Sequence, residues 1–461
     1  MKGHTVFKLK EYGTNARTEI IAGLTLFAAM AYIIPVNASI LGDKGAGIPS
    51  GAVILATCIA AAAGSLLMGL WANVPYGMAP GMGLNAFFTF TVVFSLGFSW
   101  QQALAMVFIS GVIDFIVTFT GIRKHIVASL PKALRSAMGV GIGLFIAYIG
   151  VVNVGLISFG DVPSLAPIKT STLILVVIAI ALTIILYISK VPGAILIGIV
   201  VMTIVGAFVN GPDGTRLVSM DWGSYFHDLG GSFSQLGSVF GQSITSIPSI
   251  FSDPTKIVLA IATIFAFSMT GLFDELGTSL GLGRATGIFS EKEIDDVAQV
   301  KGFKTRFARS LVPPSIATMF GSLFGTSNTT TYVESSAGIA AGGRTGATAS
   351  TTGILFLASI ILAPLAMAVP FFATTPALLL VGALMIRPVK EIDWTDMEAA
   401  IPAFLAIAIM PFAYSITTGI AVGIVFYCLI KLFRGKIKEI HPVLGVIALL
   451  FVAYFVNMAV A

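Results

Sequence analysis

Four carboxylates fall inside strongly apolar stretches of this chain. Asp114 lies in V-F-I-S-G-V-I-D-F-I-V-T-F, and Asp274 and Glu275 lie in F-S-M-T-G-L-F-D-E-L-G-T-S-L-G. Glu334 sits in G-T-S-N-T-T-T-Y-V-E-S-S-A-G-I-A-A-G-G-R-T-G, residues 325–346. Leaving an ionised side chain at the centre of a bilayer costs about 3 kcal/mol or more, so such residues usually mark function. Two chemistries suit them: accepting hydrogen bonds from the N–H edge of a ligand, and carrying a proton. Asp274 and Glu275 are neighbours, and neighbours on a helix point roughly 100° apart. One of them then faces a ligand while the other faces the cytoplasmic exit or a helix partner. They could also just mark the end of a helix, but L-G-T-S-L-G-L-G continues beyond them. Asp114 reads either as a structural polar pair between helices or as a second proton or ion site.

The element that must position Glu334 is short and polar. Residues 326–332 are rich in β-branched side chains and read as a short extended piece; from about Val333 a small-residue helix runs to Gly342-Gly343. Such irregular backbone is tolerated at membrane depth only where it lines a cavity inside the protein. A half-length helix starting there aims free N–H groups at a ligand near the midplane. Thr331, Tyr332 and Ser335 flank the acid and join it as candidate substrate contacts. A second stretch has the same form: V-P-Y-G-M-A-P-G-M-G-L-N-A-F-F, residues 74–88, is an extended Pro/Gly run feeding a short helix. It supplies Asn85, whose amide offers both donor and acceptor, and Phe87 and Phe88, whose rings could stack on a flat substrate. The plainer readings are a helix cap or an interhelical hydrogen bond for Asn85 and simple packing for the phenylalanines, which number 34 in the chain.

The composition sets the frame. Of 461 residues, 56% are hydrophobic and 10% charged, against roughly 25% charged in a soluble domain, and the mean hydropathy is +0.97. The class is an all-α polytopic membrane protein. On the rule that a span needs about 20 apolar residues, helices fall at about 18–41, 50–73, 80–96 (short), 101–121, 131–157, 171–188 and 191–210. A Ser/Gly-rich loop, 211–255, with room for an interfacial helix, separates these from helices at about 256–280, 305–324, the short helix 10, 347–370, 374–388, 398–414 and 416–434. An apolar segment, 441–460, remains as an extra span or an interfacial helix.

Basic residues cluster after helices 4, 8, 10, 12 and 14: Arg123, Lys124, His125, Lys132 and Arg135, then Arg284, Lys292, Lys301, Lys304, Arg306 and Arg309, then Arg344, then Arg387 and Lys390, then Lys431, Arg434, Lys436 and Lys438. The opposite loops hold chiefly Lys44 and Arg216. That bias places the N-terminus in the cytoplasm and gives about 14 spans. The net charge of +5 is therefore a topology signal and not a nucleic-acid footprint. Each half carries its short helix third, and an odd number of spans per half makes the second half insert inverted. Cys58 and Cys428 fall in predicted spans and suggest neither disulfide nor metal. No P-loop or HExxH motif is present, so neither an enzyme nor a cofactor is expected.

Three ordered motifs carry a family resemblance: A-P-G-M-G-L-N-A-F-F (79–88), L-F-D-E-L-G-T (272–278) and T-T-Y-V-E-S-S-A-G-I-A-A-G-G-R-T-G (330–346), with G-L-T-L-F-A-A-M-A-Y-I-I-P-V-N (23–37) extending it. The chain resembles the nucleobase–cation symporters, in the AzgA-like branch of guanine, hypoxanthine and adenine permeases. The resemblance implies two inverted seven-helix repeats, with a core domain (1–125 and 251–371) moving against a gate domain (126–250 and 372–461). It implies proton-coupled uptake of a purine held between half-helices 3 and 10 and helix 8, in the cell membrane, by a homodimer. Asp274 resembles the helix-8 acid, Glu334 the helix-10 acid and Asn85 the helix-3 asparagine. Many members carry another acid three residues before the Asp274 position; here that residue is Gly271. Glu275 and Asp114 are the candidates to replace it, and Asp274, Glu275 and Asp114 form the candidate proton-coupling set.

Other readings predict other behaviour. A transporter of uracil or xanthine would prefer those bases. An anion transporter of the sulfate-permease type should place neutral or cationic groups where Glu334 stands. A passive channel would be indifferent to a proton gradient, and a membrane enzyme would need catalytic clusters that the sequence lacks.

Overall fold

The computed structural model describes residues 7–120, 131–159, 162–211, 215–218, 223–289, 303 and 305–460. Arg123, Lys124, His125, Lys292, Lys301 and Lys304 of the basic-loop pattern lie outside the described residues, as does the side chain of Arg284.

Apolar runs become helices because only a helix satisfies all its backbone groups within one segment in lipid. Helix 1 spans Ala16–Met30 and Ile33–Leu41, helix 2 Ser50–Leu67 with a π-helical end at Met68–Ala72, and helix 4 Trp100–Thr120. Helices 5, 6 and 7 are Lys132–Asn153, Ser171–Ile188 and Ala194–Gly206. Helix 8 is the longest, Ile257–Thr286, so its two acids sit inside it and do not mark its end. Helix 9 is Arg306–Ser310 then Pro313–Phe324, and helix 11 begins with Gly346–Ala358. Helices 12, 13 and 14 are Phe371–Met385, Met397–Phe412 and Ile416–Phe433. Among the described residues nine helices are long and apolar enough to cross a bilayer, with four shorter apolar ones at Met82–Ser95, Ala194–Gly206, Met397–Phe412 and Pro442–Val452. The segment beyond 440 is a helix, Pro442–Val460, packed on helices 14 and 8. The 211–255 loop carries a helix, Tyr225–Val239, docked on helix 2, where the Gln235 side-chain oxygen accepts from the Gly51 N–H at 3.0 Å.

Among the described residues there are four short strands: β1 Met78–Pro80, β2 Ile157–Phe159, β3 Pro163–Leu165 and β4 Thr329–Thr331. β2 and β3 form an exposed hairpin. β1 and β4 are antiparallel neighbours although some 250 residues apart, with Met78 opposite Thr331, Ala79 opposite Thr330 and Pro80 opposite Thr329. Each leads into a half-helix: Met82–Ala86 continuing as a π-helix over Phe87–Ser95, and Ser335–Ala340. Pro80 has no N–H for a ladder, which confines it to an edge; a two-stranded ribbon is all edge. Helix 9 stops at Gly325, whose φ of +105° suits only glycine and turns the chain into the strand.

Helices 1, 2, 8 and 9 pack on this ribbon, with helix 4 against helices 8 and 9 and helix 11 against helices 1 and 2. Helices 5, 12, 13 and 14 pack on one another, and helix 6 packs on helices 7 and 12. A charge cluster binds helix 14 to helix 13: Glu398 takes Lys431 Nζ at 2.8 Å, Lys436 Nζ at 2.8 Å and Arg434 Nε at 3.0 Å. The chain thus folds as an all-α polytopic protein of two inverted seven-helix repeats with the two short strands before half-helices 3 and 10.

Candidate substrate site at the strand crossing

Glu334 is the residue that enters half-helix 10, half-buried; the N–H groups of Ser335, Ser336 and Ala337 in the first turn donate back to the Tyr332, Val333 and Glu334 carbonyls. Its Oε1 accepts a 2.7 Å hydrogen bond from the Tyr32 hydroxyl of helix 1. Asp274 is also half-buried and lies within hydrogen-bonding reach of the Thr330 side chain. Tyr332 stands within electrostatic range of both Glu334 and Asp274. Its hydroxyl donates to the Pro80 carbonyl at 2.6 Å, so the ring is held against the ribbon.

Asn85 is fully buried; its Oδ1 accepts from the Ser327 hydroxyl, and its Nδ2 has no protein partner among the described residues. A buried amide N–H₂ without an acceptor costs about 1–3 kcal/mol, which a ligand carbonyl or ring nitrogen would relieve. Phe87 is buried with its ring 4.5 Å from that of Phe267 in helix 8, at 58°. Phe88 is fully buried.

The other predicted contacts sit behind the ribbon. Glu275 is buried, about 100° around helix 8 from Asp274. Its Oε2 accepts from the Thr331 N–H at 3.0 Å, and its Oε1 accepts from the Thr331 hydroxyl at 3.0 Å and the Ser279 hydroxyl at 2.7 Å. The acid therefore satisfies an edge N–H of β4 that no further strand reaches. The Ser335 hydroxyl accepts from the Gly77 N–H at 3.0 Å, locking half-helix 10 to the approach of β1. Asp114, on helix 4, accepts from the Ser268 hydroxyl of helix 8. So Tyr332 lies within electrostatic range of both Glu334 and Asp274, while Asp114 and Glu275 line one cavity with Thr329 and Thr330.

Several residues of the site gave no signal in the sequence. Tyr32 carried no signal, since a tyrosine in an apolar run reads as packing. Asn328 follows Ser327 in the opening motif and is buried: its Nδ2 donates to Ser110 at 3.1 Å, and its backbone carbonyl accepts from Gly81 N–H at 2.9 Å. Glu19 is completely buried and accepts from the N–H groups of Arg344, Thr345 and Thr348 and from the Thr348 hydroxyl, capping helix 11. Its place in the polar N-terminal run hid it.

The family profile of xanthine/uracil permeases, described as a permease family, matches residues 17–422. The chain belongs to this permease family. The permease is 39% identical to the guanine/hypoxanthine permease PbuG of Bacillus subtilis, over 98% of this chain and 99% of that protein. It is 37% identical to the adenine permease AdeP of Escherichia coli, over 97% of this chain and 94% of that protein. In structure it is similar to the transmembrane domain of the cyanobacterial bicarbonate transporter BicA, with a TM-score of 0.60 at 14% identity over 87% of this chain and 96% of that one. At that identity the likeness concerns the fold alone. The permease is a multi-pass membrane transporter and not an enzyme.

Proposed function

We propose that this permease takes up purine nucleobases, hypoxanthine, guanine or adenine, together with a proton, by alternating access. The carrying observation is that two half-buried carboxylates, Glu334 and Asp274, both lie within electrostatic range of Tyr332, while half-helix 3, whose lead strand pairs with that of half-helix 10, carries Asn85 with an amide unpartnered among the described residues. A purine edge presents N–H donors beside a carbonyl or ring nitrogen; carboxylates accept the first and an amide N–H₂ serves the second. The similarity to PbuG and AdeP, which are named for guanine, hypoxanthine and adenine, supports the same substrate class. Phe87 and Tyr332 offer ring faces, and Thr331 and Ser335 hold the acids' strand and half-helix in place.

In this reading Asp274 carries the proton, with Glu275 and Asp114 behind it. The core (helices 1–4 and 8–11) carries the base past a gate (helices 5–7 and 12–14), with the N-terminus in the cytoplasm. The anionic site disfavours a bicarbonate- or sulfate-like substrate, despite the shared fold.

Uptake of labelled hypoxanthine, guanine, adenine and uracil into vesicles, with and without a protonophore, tests this. Saturable purine uptake that collapses with the protonophore is expected. The absence of saturable purine uptake defeats the reading, and uptake indifferent to the protonophore defeats its proton half. Glu334→Gln should abolish uptake at an unchanged membrane level.

A further inference from the structure

The helix Tyr225–Val239 divides its surface into three sectors. At about 100° per residue, Ser232, Leu236 and Val239 fall together and are buried. They seat the helix on helices 2 and 9 and on Ala363–Met367, the far end of helix 11. Gly51, at the start of helix 2, permits the close approach: a Cβ there would meet Gln235 Oε1 at 2.5 Å and Ser232 Oγ at 2.7 Å. The opposite sector carries His227, Gly230, Ser234 and Ser238, all exposed. Between the two lies a stripe of Phe226 and Phe233, seven residues apart and continued by Phe240 just past the helix end. These rings are 78%, 50% and 54% exposed.

At each end the stripe runs into the apolar surface of a membrane helix. The Tyr225 hydroxyl donates to the Ile361 carbonyl at 2.6 Å, and Ile354, Leu357 and Ile361 are exposed along helix 11. The Phe240 ring meets Phe324 edge to face at 5.0 Å, and Phe324 lies 4.8 Å from the exposed Phe320 ring on helix 9. The stripe therefore joins two stretches of apolar surface into one. A helix with one polar face and one apolar face lies in the plane of the membrane interface, its apolar side sunk about 5–10 Å into the headgroup–acyl boundary. No lysine or arginine falls between 225 and 240, so anionic headgroups are not the attraction. The phenylalanines are.

We propose that this helix is a membrane-interface anchor on the side where helix 2 begins, with lipid covering the Phe226, Phe233 and Phe240 stripe, and that it pins the core at that depth. Helices 2, 9 and 11, which it grips, all belong to the core of the transport reading above. When that core shifts against the gate, the stripe has to move through the interface or the bilayer has to bend with it. The pinning rests on the alternating-access reading, whereas the lipid contact does not.

The test uses the full-length chain in liposomes, with an environment-sensitive fluorophore on Phe233→Cys and, as the water-facing control, on Ser238→Cys. Cys58 and Cys428 are both buried, and unsubstituted protein gives the labelling background. The probe at 233 should be quenched by lipid spin-labelled near the headgroup, and several-fold less by aqueous iodide than the probe at 238. Equal iodide quenching at both positions overturns the anchor. A probe at 233 shielded from both quenchers, with copies cross-linking through that cysteine, also overturns it, because a second copy then covers the stripe. For the pinning, the maximal purine uptake rate should change several-fold between short-chain and long-chain lipids in the wild type. It should change much less when Phe226, Phe233 and Phe240 are all replaced by serine, or in Phe233→Ser alone if the triple variant does not reach the membrane. The same lipid dependence in wild type and variant overturns the pinning. A probe at 233 that reads lipid in a protein that takes up no purine upholds the anchor and defeats the purine reading alone.

Discussion

Tyr32 donates its hydroxyl to Glu334 across 302 residues of sequence, and that bond ties the carboxylate to helix 1. A hydrogen bond to a charged group is worth about 1.5–3 kcal/mol, so Tyr32→Phe is expected to raise the purine KM by roughly tenfold to a hundredfold. Initial uptake rates at matched membrane levels measure this, and a KM within twofold of wild type would show that Tyr32 only packs. Glu334 and the adjacent pair in helix 8 were legible because an acid in an apolar run is rare enough to be noticed. Tyr32 was not, because aromatic residues are common in such runs and its hydroxyl partner is distant in sequence. The division of labour between Asp274 and Glu275 was half legible. The 100° rotation between neighbours separates them, but only the position of β4 assigns Glu275 to the strand.

At the scale of elements, the ends of short pieces carry the polar work. β4 has its edge N–H taken by Glu275, half-helix 10 is tied to β1 through Ser335, and the start of helix 11 is capped by Glu19. The two half-helices and their extended leads could be read from Pro, Gly and Thr runs that break the apolar pattern. Their antiparallel register could not, since nothing local in 78–80 specifies pairing with 329–331. Glu19→Ala would strand three backbone N–H groups and a hydroxyl at a fully buried site. Each unsatisfied buried donor costs about 1–3 kcal/mol; with some relief from water, a loss of about 3 kcal/mol is expected. The thermal unfolding midpoint of the purified protein should fall by several degrees. A midpoint equal to wild type would mean that the helix finds another cap.

For the whole molecule, apolar length and the spacing of basic loops outlined the spans, and the third-position short helices pointed to the inverted repeat. How the two groups of helices meet was invisible in the sequence, because the contacts join residues far apart. Half-helix 3 makes much of that contact. The Ile416 N–H of helix 14 donates to Thr91 Oγ1 at 3.2 Å, and the Phe90 and Tyr414 rings meet edge to face at 5.9 Å. A Cβ on Gly83 would come within 2.7 Å of Ile142 Cγ2 in helix 5. If the core carries substrate past the gate, this contact must slide. A Gly83→Cys, Ile142→Cys pair would put two thiols on neighbouring side chains across the sliding surface, and a disulfide there needs Cβ atoms about 3.5–4.5 Å apart. Oxidation of the double variant in vesicles should then stop purine uptake, and reduction should restore it. Each single variant should be insensitive to oxidant, since Cys58 and Cys428 are both buried. Full cross-linking, verified by thiol titration, with uptake undiminished would mean that half-helix 3 and helix 5 stay together during transport. The core would then not move against the gate at this surface.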